Sequence, residues 1–309
     1  MASRIRQVIV LSTLLAALAA CSDSPEAAAD APPATRDAAV DAVFADWDDA
    51  GSPGCAVAIA KQGELLYARG YGSANLDYEI PITPDTVFDV ASVTKQFVAA
   101  SINMLALEGR LALDDDVRTW LPELPDHGTT ITLRHMLYHT SGLRDYLNLF
   151  PLAGRNDHFP ISHPQILAMM ARQQALVFEP GDRYLYSNTA YMLLAQVVER
   201  ASGQTIGDFT RERIFERLGM NSSRMYDDLE AIIPRRSTGY GRDDSGRLRV
   251  VHNYNFDVAG DGQLYTTVKD LLRWDSHLHD SQPAYYDTML TEGTLNDGTP
   301  IARAMGLFL

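Results

Sequence analysis

The segment from Val93 to Leu107 is apolar on almost every face of a helix, and it constrains the fold of this chain more than any other feature. A surface helix keeps one polar face, so a helix that is hydrophobic all round has to be enclosed by other elements. The segment ends at Glu108 and Gly109, and glycine commonly terminates a helix. The sequence therefore predicts a central, buried helix with the rest of a domain packed around it.

The other predicted elements are one hairpin and several helices. Two apolar runs on either side of a glycine-containing turn predict a β-hairpin over 55–60 and 65–71. Apolar spacing and helix start signals predict helices over 37–49, 132–138, 188–201, 205–218 and 267–278. A hairpin followed by a long helical stretch predicts an α+β fold, with a small antiparallel sheet flanked by helices and a mostly helical subdomain.

The N-terminus has the pattern of a secretion signal. Arg4 and Arg6 precede an apolar run over 8–20 that is too short to span a membrane comfortably. The run ends in Leu-Ala-Ala-Cys, which is similar to the bacterial lipobox, so we expect residues 1–20 to be a lipoprotein signal peptide. Cys21 would then carry the lipid and tether the protein to a membrane face. A plain signal peptide that happens to end near a cysteine is the alternative.

Residues 21–36 combine alanine, proline and acidic side chains without any aromatic residue. Such a stretch cannot bury enough surface to fold, so we expect a flexible linker there and a folded domain over 37–309. Together with the signal, this places the protein in the bacterial cell envelope, lipid-anchored and facing the periplasm or the exterior.

Charge and cysteine content exclude several functions. The formal net charge is −14 and the pI is about 4.9, so nucleic acid is not an expected partner. The two cysteines, Cys21 and Cys55, lie in very different contexts, which argues against a disulfide framework or a cysteine metal site. The sequence contains neither His-Glu-x-x-His nor Gly-x-Ser-x-Gly, so a zinc hydrolase and an α/β-hydrolase are disfavoured. We expect no metal and no cofactor.

Ser92-Val-Thr-Lys95 stands at the start of the predicted central helix. Residues three apart on a helix lie on one face, about 5–6 Å apart, so the Lys95 amine can approach the Ser92 hydroxyl. Serine is a weak nucleophile and needs a neighbouring base. Burial and the positive end of the helix dipole both disfavour an ammonium group, and the same N-terminus offers the Ser92 N–H to an oxyanion. The chain has only three lysines, which makes this pairing more informative.

A second element lies far along the chain. Tyr186-Ser-Asn188 follows Pro180-Gly181 and directly precedes a predicted helix. A loop tyrosine can bring its phenol oxygen to the Ser–Lys pair, and a loop asparagine can bind a substrate carbonyl. The alternative is that Tyr186 packs in the interior and Asn188 only caps the helix.

Together these motifs resemble the serine β-lactamase and penicillin-binding-protein superfamily, in the branch with Tyr-x-Asn as its second motif. That branch includes class C β-lactamases, D-alanyl-D-alanine peptidases and related esterases. The similarity extends to His139-Thr-Ser-Gly142, Leu218-Gly-Met220 and Gly260-Asp-Gly262, and it runs from about residue 37 to the last residue. The resemblance implies a β-lactamase/transpeptidase-like fold and a serine hydrolase that works through an acyl-enzyme intermediate on an amide, β-lactam or ester carbonyl.

The resemblance also implies residue roles. Ser92 would be the acylated nucleophile, Lys95 the partner that activates it, and Tyr186 the proton carrier that acts as base and then as acid. Asn188 would orient the substrate. His139-Thr-Ser-Gly142 is interpreted as a structural helix stop near the site. Tyr146 is a candidate substrate contact in an aromatic pocket wall, with membership of the core as the alternative.

The superfamily's third motif, Lys-Thr-Gly or His-x-Gly, is absent from this sequence. The last lysine, Lys269, is followed by aspartate, and no histidine after Asn188 has glycine two positions on. Because the chain stops in the apolar run 301–309, we expect a C-terminally truncated domain that lacks further strands. Losing the oxyanion donor that this motif supplies costs about 100- to 1000-fold in rate, so we expect the truncated chain to be weakly active or inactive.

Two functions remain open at this point. A serine hydrolase acting on a small-molecule or peptide substrate is favoured because Ser92, Lys95, Tyr186 and Asn188 occur together. The alternative is a non-catalytic envelope lipoprotein of the same fold that binds peptide or peptidoglycan. The sequence does not decide the oligomeric state or choose among β-lactam, D-alanyl peptide and ester substrates.

Overall fold

The computed structural model describes residues 36–154, 161–251 and 256–308. The predicted signal peptide, Cys21 and the linker up to residue 35 lie outside the described residues. The chain divides into a first unit that ends at Ala42 and a second that begins at Val43. Residues 36–42, which belong to the helix α1 (Arg36–Val43), are the part of the first unit that is described, and the packing below concerns the second unit.

Helices make up most of the regular secondary structure described in the second unit. In chain order they are α2 (Thr94–Leu107), α3 (Val117–Trp120), α4 (Leu133–Leu137), α5 (Tyr146–Leu152), α6 (His163–Met170), α7 (Asn188–Ser202), α8 (Ile206–Thr210), α9 (Glu216–Leu218), α10 (Val268–Ser276) and α11 (Ala284–Leu290). Short 3₁₀ turns at Ala45–Trp47 and Ala91–Val93 and π-helical turns at Arg211–Phe215 and His277–Ser281 extend or link them.

The strands are short, apart from the first two. They are β1 (Cys55–Lys61), β2 (Glu64–Tyr71), β3 (Ser73–Asn75), β4 (Ile80–Pro81), β5 (Phe88–Asp89), β6 (Ile161–Ser162), β7 (Arg224–Met225), β8 (Gly239–Arg242), β9 (Leu248–Val251), β10 (Phe256–Asp257), β11 (Leu264–Thr266), β12 (Arg303–Ala304) and β13 (Leu307–Phe308). The largest sheet has the order β5-β11-β7, and the other pairs are two-stranded hairpins or ladders. All are antiparallel except β6 with β10.

The core is built around α2 and α7, which pack against each other. Phe97, Ile102 and Leu105 on α2 are completely buried, as the all-round apolar sequence predicts. Full burial of a side chain of this size contributes about 1.5–3 kcal/mol to the free energy of unfolding. The polar groups of α2 are also accommodated, because Ser101 Oγ donates to the Phe97 carbonyl oxygen four residues earlier. Lys95 and Asn188 lie in the first turns of these two helices, and Ser92 and Tyr186 lie in the segments directly before them.

Most predicted elements are confirmed, and several need correction. The hairpin β1–β2 and the helices α2, α4 and α7 lie within about a residue of the expected bounds. The helix predicted over 37–49 ends at Val43, and the chain tightens into a 3₁₀ turn, which is common at helix ends. The helices predicted over 205–218 and 267–278 each change into a π-helical turn part-way. The predicted α+β fold, with short antiparallel pairing among helices, is confirmed, and its strands form several short ladders, one of them parallel.

The apolar run that begins at Ile301, interpreted as the start of a strand, contains the small hairpin β12–β13. Gly306 at the turn has φ of +73°, and a Cβ there would lie 2.8 Å from the Lys95 carbonyl oxygen. Only glycine fits such a position without displacing α2. In the part of the chain that is described, no helix has the length and apolar character needed to cross a membrane.

Candidate active site

Ser92 lies in the 3₁₀ turn Ala91–Val93, directly before α2. The sequence placed it at the start of the central helix, and the structure adds a sharp bend before α2 begins, because Ala91 has φ of +44°. Two side chains hold the bend: Asp89 Oδ1 accepts from the Ala91 N–H at 2.9 Å, and Thr94 Oγ1 donates to the Ala91 carbonyl at 2.6 Å. The result is an exposed serine on a fixed turn at the edge of a buried helix.

Lys95 is the buried cation of the site. Its side chain is 2% exposed, and its Nζ donates to Ser92 Oγ at 3.1 Å, Asn188 Oδ1 at 3.0 Å and the Asp261 carbonyl oxygen at 2.6 Å. Burial lowers the pKa of Lys95 to about 8, against the opposing charges of Asp261 and Asp145. The amine is therefore held beside the serine oxygen by three acceptors and can lose a proton near neutral pH.

Tyr186 reaches the same serine oxygen from the loop before α7. Its hydroxyl donates to Ser92 Oγ at 2.7 Å, and its ring face lies 4.8 Å from Lys95 Nζ. Burial raises the pKa of the phenol, and the hydrogen bond to Ser92 opposes that effect only in part. The phenol is therefore neutral at physiological pH, with one proton available at the serine oxygen.

His139 supports Tyr186 from behind. It lies just beyond the end of α4 with φ of +59°, and its ring stacks on the Tyr186 ring with centroids 4.5 Å apart. Its Nδ1 accepts from the Ser187 N–H at 3.1 Å. Burial, followed by the charge of Lys95, lowers the pKa of His139 to about 3, so the imidazole is neutral. This position just after α4 is compatible with the interpretation of His139-Thr-Ser-Gly142 as a helix stop near the site. The structure adds a direct contact between His139 and Tyr186.

The loop that leads to Tyr186 is fastened at Gly181 by a distant segment. The Asn296 N–H donates to the Gly181 carbonyl at 2.9 Å, and Asn296 Nδ2 donates to the Pro180 carbonyl and to Asp182 Oδ1, both at 2.9 Å. Gly181 has φ of +86°, and a Cβ there would lie 2.3 Å from Asn296 Oδ1. Glycine is therefore required where the loop crosses this side chain.

Asn188 is the first residue of α7, and its position depends on Asp145. Asp145 Oδ2 accepts from the Asn188 N–H at 2.5 Å, while Oδ1 accepts from the Leu147 N–H at 3.0 Å. One carboxylate thus caps the start of α5 and also accepts from the first N–H of α7, whose N-cap is Ser187. The next residue adds a second tie, because Thr189 Oγ1 accepts from the Tyr146 N–H at 2.8 Å.

Tyr146 lies at the wall of a small cavity beside Ser92, of about 180 Å³. Its side chain is only 2% exposed, packs edge-on against Phe150, and donates its hydroxyl to Asp261 Oδ2 at 2.8 Å. Tyr146 is therefore both a core residue and part of the cavity lining, so membership of the core and a place in the pocket wall do not exclude each other. Its role as a substrate contact stays a prediction.

Sequence reasoning brought Ser92, Lys95, Tyr186 and Asn188 to one place, and the structure places them together. It missed Asp145 and Asp261. Both are loop carboxylates with no periodic or motif signal of their own, although Asp261 stands inside the Gly-Asp-Gly segment that carried part of the resemblance. Among the described residues, no group of three or more histidine, cysteine, aspartate or glutamate side chains could hold a metal ion.

Comparison with known proteins gives consistent matches. A family model described as Beta-lactamase matches residues 39–309. Penicillin-binding protein 4* of Bacillus subtilis (strain 168) is 32% identical over 270 residues, which cover 82% of this chain and 59% of that protein. D-aminopeptidase of Gluconobacter oxydans (strain 621H) is 29% identical over 259 residues, covering 82% and 48%.

A solved structure matches over a larger share of its own length. D-amino acid amidase from Ochrobactrum anthropi SV3, complexed with L-phenylalanine amide, gives a TM-score of 0.69 at 25% identity and covers 87% of this chain and 80% of that one. The chain spans about half the length of the curated relatives it matches.

Proposed function

The chain belongs to the beta-lactamase family, and from that premise we propose that it is a serine hydrolase that forms an acyl-enzyme at Ser92. The observation that carries the proposal is that Ser92 Oγ accepts hydrogen bonds from both Lys95 Nζ at 3.1 Å and Tyr186 Oη at 2.7 Å. A nucleophile beside a buried amine and a phenol is the arrangement that acyl transfer needs. The carbonyl attacked is that of an amide, an ester or a β-lactam.

In the first step Ser92 Oγ bonds to the substrate carbonyl carbon, and its proton passes to the neutral amine of Lys95. The amine accepts this proton because the pKa of Lys95 is lowered to about 8, whereas the pKa of Tyr186 is raised and its phenol keeps its proton. The proposal therefore gives Tyr186 the role of acid alone, whereas the resemblance implies that it acts as base and then as acid. The carbonyl oxygen becomes an oxyanion near the Ser92 N–H. That N–H stands at the start of the helical segment, where the first backbone donors have no partner within the helix.

In the second step the bond from the carbonyl carbon to the leaving nitrogen or oxygen breaks. Tyr186 donates its phenolic proton to the leaving atom, and the Lys95 ammonium restores that proton. Water then attacks the ester of Ser92, loses a proton to the same pair, and the serine oxygen regains its hydrogen. Asn188, which accepts from Lys95 through Oδ1, has its Nδ2 available to hold the substrate carbonyl.

The names of the relatives suggest which substrates to test first. One relative is called a D-aminopeptidase and one solved structure a D-amino acid amidase, so we propose an amide of a D-amino acid or a short D-peptide as substrate. A penicillin-binding protein is also among the relatives, which makes a β-lactam the natural covalent probe.

The test is adduct formation at Ser92, measured by intact mass. The purified protein is incubated with a fluorophosphonate, with penicillin and with a chromogenic cephalosporin, and hydrolysis of D-alanine p-nitroanilide and a short-chain nitrophenyl ester is followed in parallel. We expect one adduct that Ser92→Ala abolishes and that Ser281→Ala, at an exposed serine elsewhere, leaves unchanged. Absence of any Ser92 adduct, even after prolonged incubation at high reagent concentration, would overturn the proposal and favour a non-catalytic envelope protein that binds peptide or peptidoglycan.

We further propose that Cys21 is lipidated after removal of residues 1–20, and that the protein is tethered to a membrane face of the cell envelope. The Leu-Ala-Ala-Cys sequence at the end of a short apolar run supports this. Because the chain has only two cysteines, Cys55→Ala is a matched control for Cys21→Ala. We expect incorporation of an alkyne fatty acid and membrane fractionation to require Cys21 and not Cys55. Unlabelled protein in the soluble fraction would contradict the tether.

A further inference from the structure

Two neighbouring cavities of the second unit form one groove around α9. The first, of about 580 Å³, lies between the β1–β2 hairpin and α10, and the second, of about 340 Å³, lies between the end of α2 and the start of α11. Arg217, Leu218 and His277 line both cavities, so the two are continuous, and we call them together the α9 groove. None of its described lining residues also lines the cavity beside Ser92.

The second cavity of the α9 groove is mostly apolar. Its apolar lining residues are Met104, Leu107, Ile214, Leu218, Pro283 and Tyr285. Glu108 and Arg213 also line it, but they form an ion pair with each other. Leu107 is 59% exposed at the end of an otherwise buried helix. A hydrocarbon chain that lay along this cavity would remove such apolar surface from water, which is favourable.

The first cavity carries the charge. It is lined by three cations and one carboxylate, namely Arg217, Lys269, Arg273 and Asp280. Lys269 and Arg273 each pair with an aspartate that does not line the groove. Arg217 is exposed, its Nε donates to the Glu212 carbonyl oxygen at 3.3 Å, and it forms no ion pair with any described residue. A guanidinium has five N–H donors, so Arg217 can still bind an anion.

The position of Arg217 joins these two properties. It lies where the cationic cavity meets the apolar one, whereas Asp280 lies beside Gly63 at the hairpin turn. Burial lowers the pKa of His277, the other polar residue at the junction, so its imidazole is neutral at physiological pH and adds no charge. An anionic group at the junction would therefore face the guanidinium of Arg217, with apolar side chains on one side.

We propose that the α9 groove binds an anionic amphiphile with a single hydrocarbon chain, of the class of the long-chain fatty carboxylates. The carboxylate binds Arg217, because a guanidinium and a carboxylate can form two parallel hydrogen bonds. The chain lies along the second cavity toward Leu107. A short carboxylate lacks the apolar contact, and a cationic amphiphile lacks the ion pair. This binding site goes beyond the proposed hydrolase activity and does not depend on it.

The experiment measures the binding of dodecanoate to the purified protein by isothermal titration calorimetry, below the critical micelle concentration. Octanoate has the same charge and a shorter chain, and the dodecyltrimethylammonium ion has the same chain length and the opposite charge. Each methylene that is fully buried contributes about fourfold in affinity, so we expect octanoate to bind at least tenfold more weakly. We expect the ammonium amphiphile to bind at least tenfold more weakly as well, because it would meet a cation at the junction.

Two variants at exposed positions test the two parts of the site. Arg217→Gln should weaken dodecanoate binding about tenfold, since a charge-assisted hydrogen bond is lost. Arg172→Gln is the matched control, because Arg172 is also exposed and its Nε also donates to a backbone carbonyl. Leu107→Gln should weaken binding about threefold or more. Leu152→Gln, at a leucine that is 83% exposed and does not line the groove, should leave binding unchanged.

Thermal unfolding distinguishes binding from the action of a detergent. A ligand that binds the folded chain raises its melting temperature, so dodecanoate should raise that of the wild-type protein and of Ser92→Ala, but not that of Arg217→Gln. Equal affinity for the carboxylate and the ammonium amphiphile, a lowered melting temperature, or unchanged affinity in Arg217→Gln overturns the site. Loss of binding in Ser92→Ala would place the ligand in the catalytic cavity and overturns it too. A Ser92 that forms no adduct overturns the hydrolase alone and leaves this site standing.

Discussion

The imidazole of His139 lies stacked on the phenol ring of Tyr186, with centroids 4.5 Å apart and ring planes inclined by 30°. The stack links a helix end at residue 139 to a loop nearly fifty residues later. It holds the phenol whose hydroxyl donates to Ser92 Oγ at 2.7 Å. Because the stacked imidazole is neutral, it adds no positive charge behind Tyr186.

The neutral state of His139 predicts a pH dependence of stability. Its pKa is about 3 in the folded chain and about 6.5 when unfolded, so the unfolded state binds more protons between these values. The free energy of unfolding should therefore keep its full value above about pH 6.5 and fall by up to about 1.4 kcal/mol per pH unit as the pH drops toward 3. Urea unfolding at pH 7, 5 and 4 measures it. His139→Asn should flatten this slope and His127→Asn, outside the site, should not; equal slopes for all three proteins would contradict the assignment.

The pKa of Lys95 predicts a pH dependence of activity, because only the neutral amine can accept the Ser92 proton. The neutral amine is the base, so the rate of Ser92 acylation should rise with pH through about 8 and level off above it. Lys95→Arg keeps the charge but cannot release a proton, and we expect acylation to slow by about 100- to 10,000-fold. Lys269→Arg is the matched control, since Lys269 pairs with Asp85 away from the site. An acylation rate independent of pH between 6 and 9 would rule out Lys95 as the base.

Tyr186→Phe should leave the ring stack on His139 in place and remove only the hydroxyl at Ser92. We expect kcat to fall by about 100-fold with a small change in KM, because the proton transfer to the leaving group is lost. Tyr184→Phe is the comparison, since that ring meets His139 edge-on and not the serine. Steady-state kinetics on one amide substrate decide the matter: similar losses in the two variants would mean that packing, not the Tyr186 hydroxyl, is what matters.

Asp145→Ala should cost more stability than an ordinary cap deletion. Its carboxylate accepts from the first turns of two helices, whereas Asp116 accepts from one, through the Arg118 N–H. A lost cap costs about 1 kcal/mol, so we expect about 2 kcal/mol for Asp145→Ala and about half for Asp116→Ala. Chemical unfolding gives both values. The first variant should also impair turnover because Asn188 loses its anchor; an Asp145→Ala protein with wild-type stability would refute the double cap.

The sequence predicted those parts of the fold that local patterns encode. The all-round apolar run of α2 and the start signals of α7 gave bounds within about a residue, because burial and capping act on neighbouring residues. The pairing of Ser92 with Lys95 followed in the same way from their spacing. The bend at Ala91, with φ of +44°, left no trace in composition, since it depends on Asp89 and Thr94 closing around it.

The remaining contacts of the site come from residues that are distant in sequence. Asp261 meets Lys95 across 166 positions and Tyr146 across 115, and no periodicity connects loops so far apart. Tyr186 and Asn188 were found only because their spacing resembles a family motif. His139 and Asp145 act through tertiary contacts with Tyr186 and Asn188. Their roles could not be predicted from the sequence, because no local pattern encodes such contacts.

The hydrogen bonds between Asn296 and Gly181 imply that the site loses its order at a lower temperature than the one at which the domain unfolds. The residues around 292–300 are held by short turns, whereas α2 and α7 are buried helices, so moderate heat would loosen the former first. The loop from Gly181 to Tyr186 would then lose its fixed position while the buried helices stayed folded. Catalytic competence would fade before the cooperative melting transition, and it would return on cooling without any need to refold the chain.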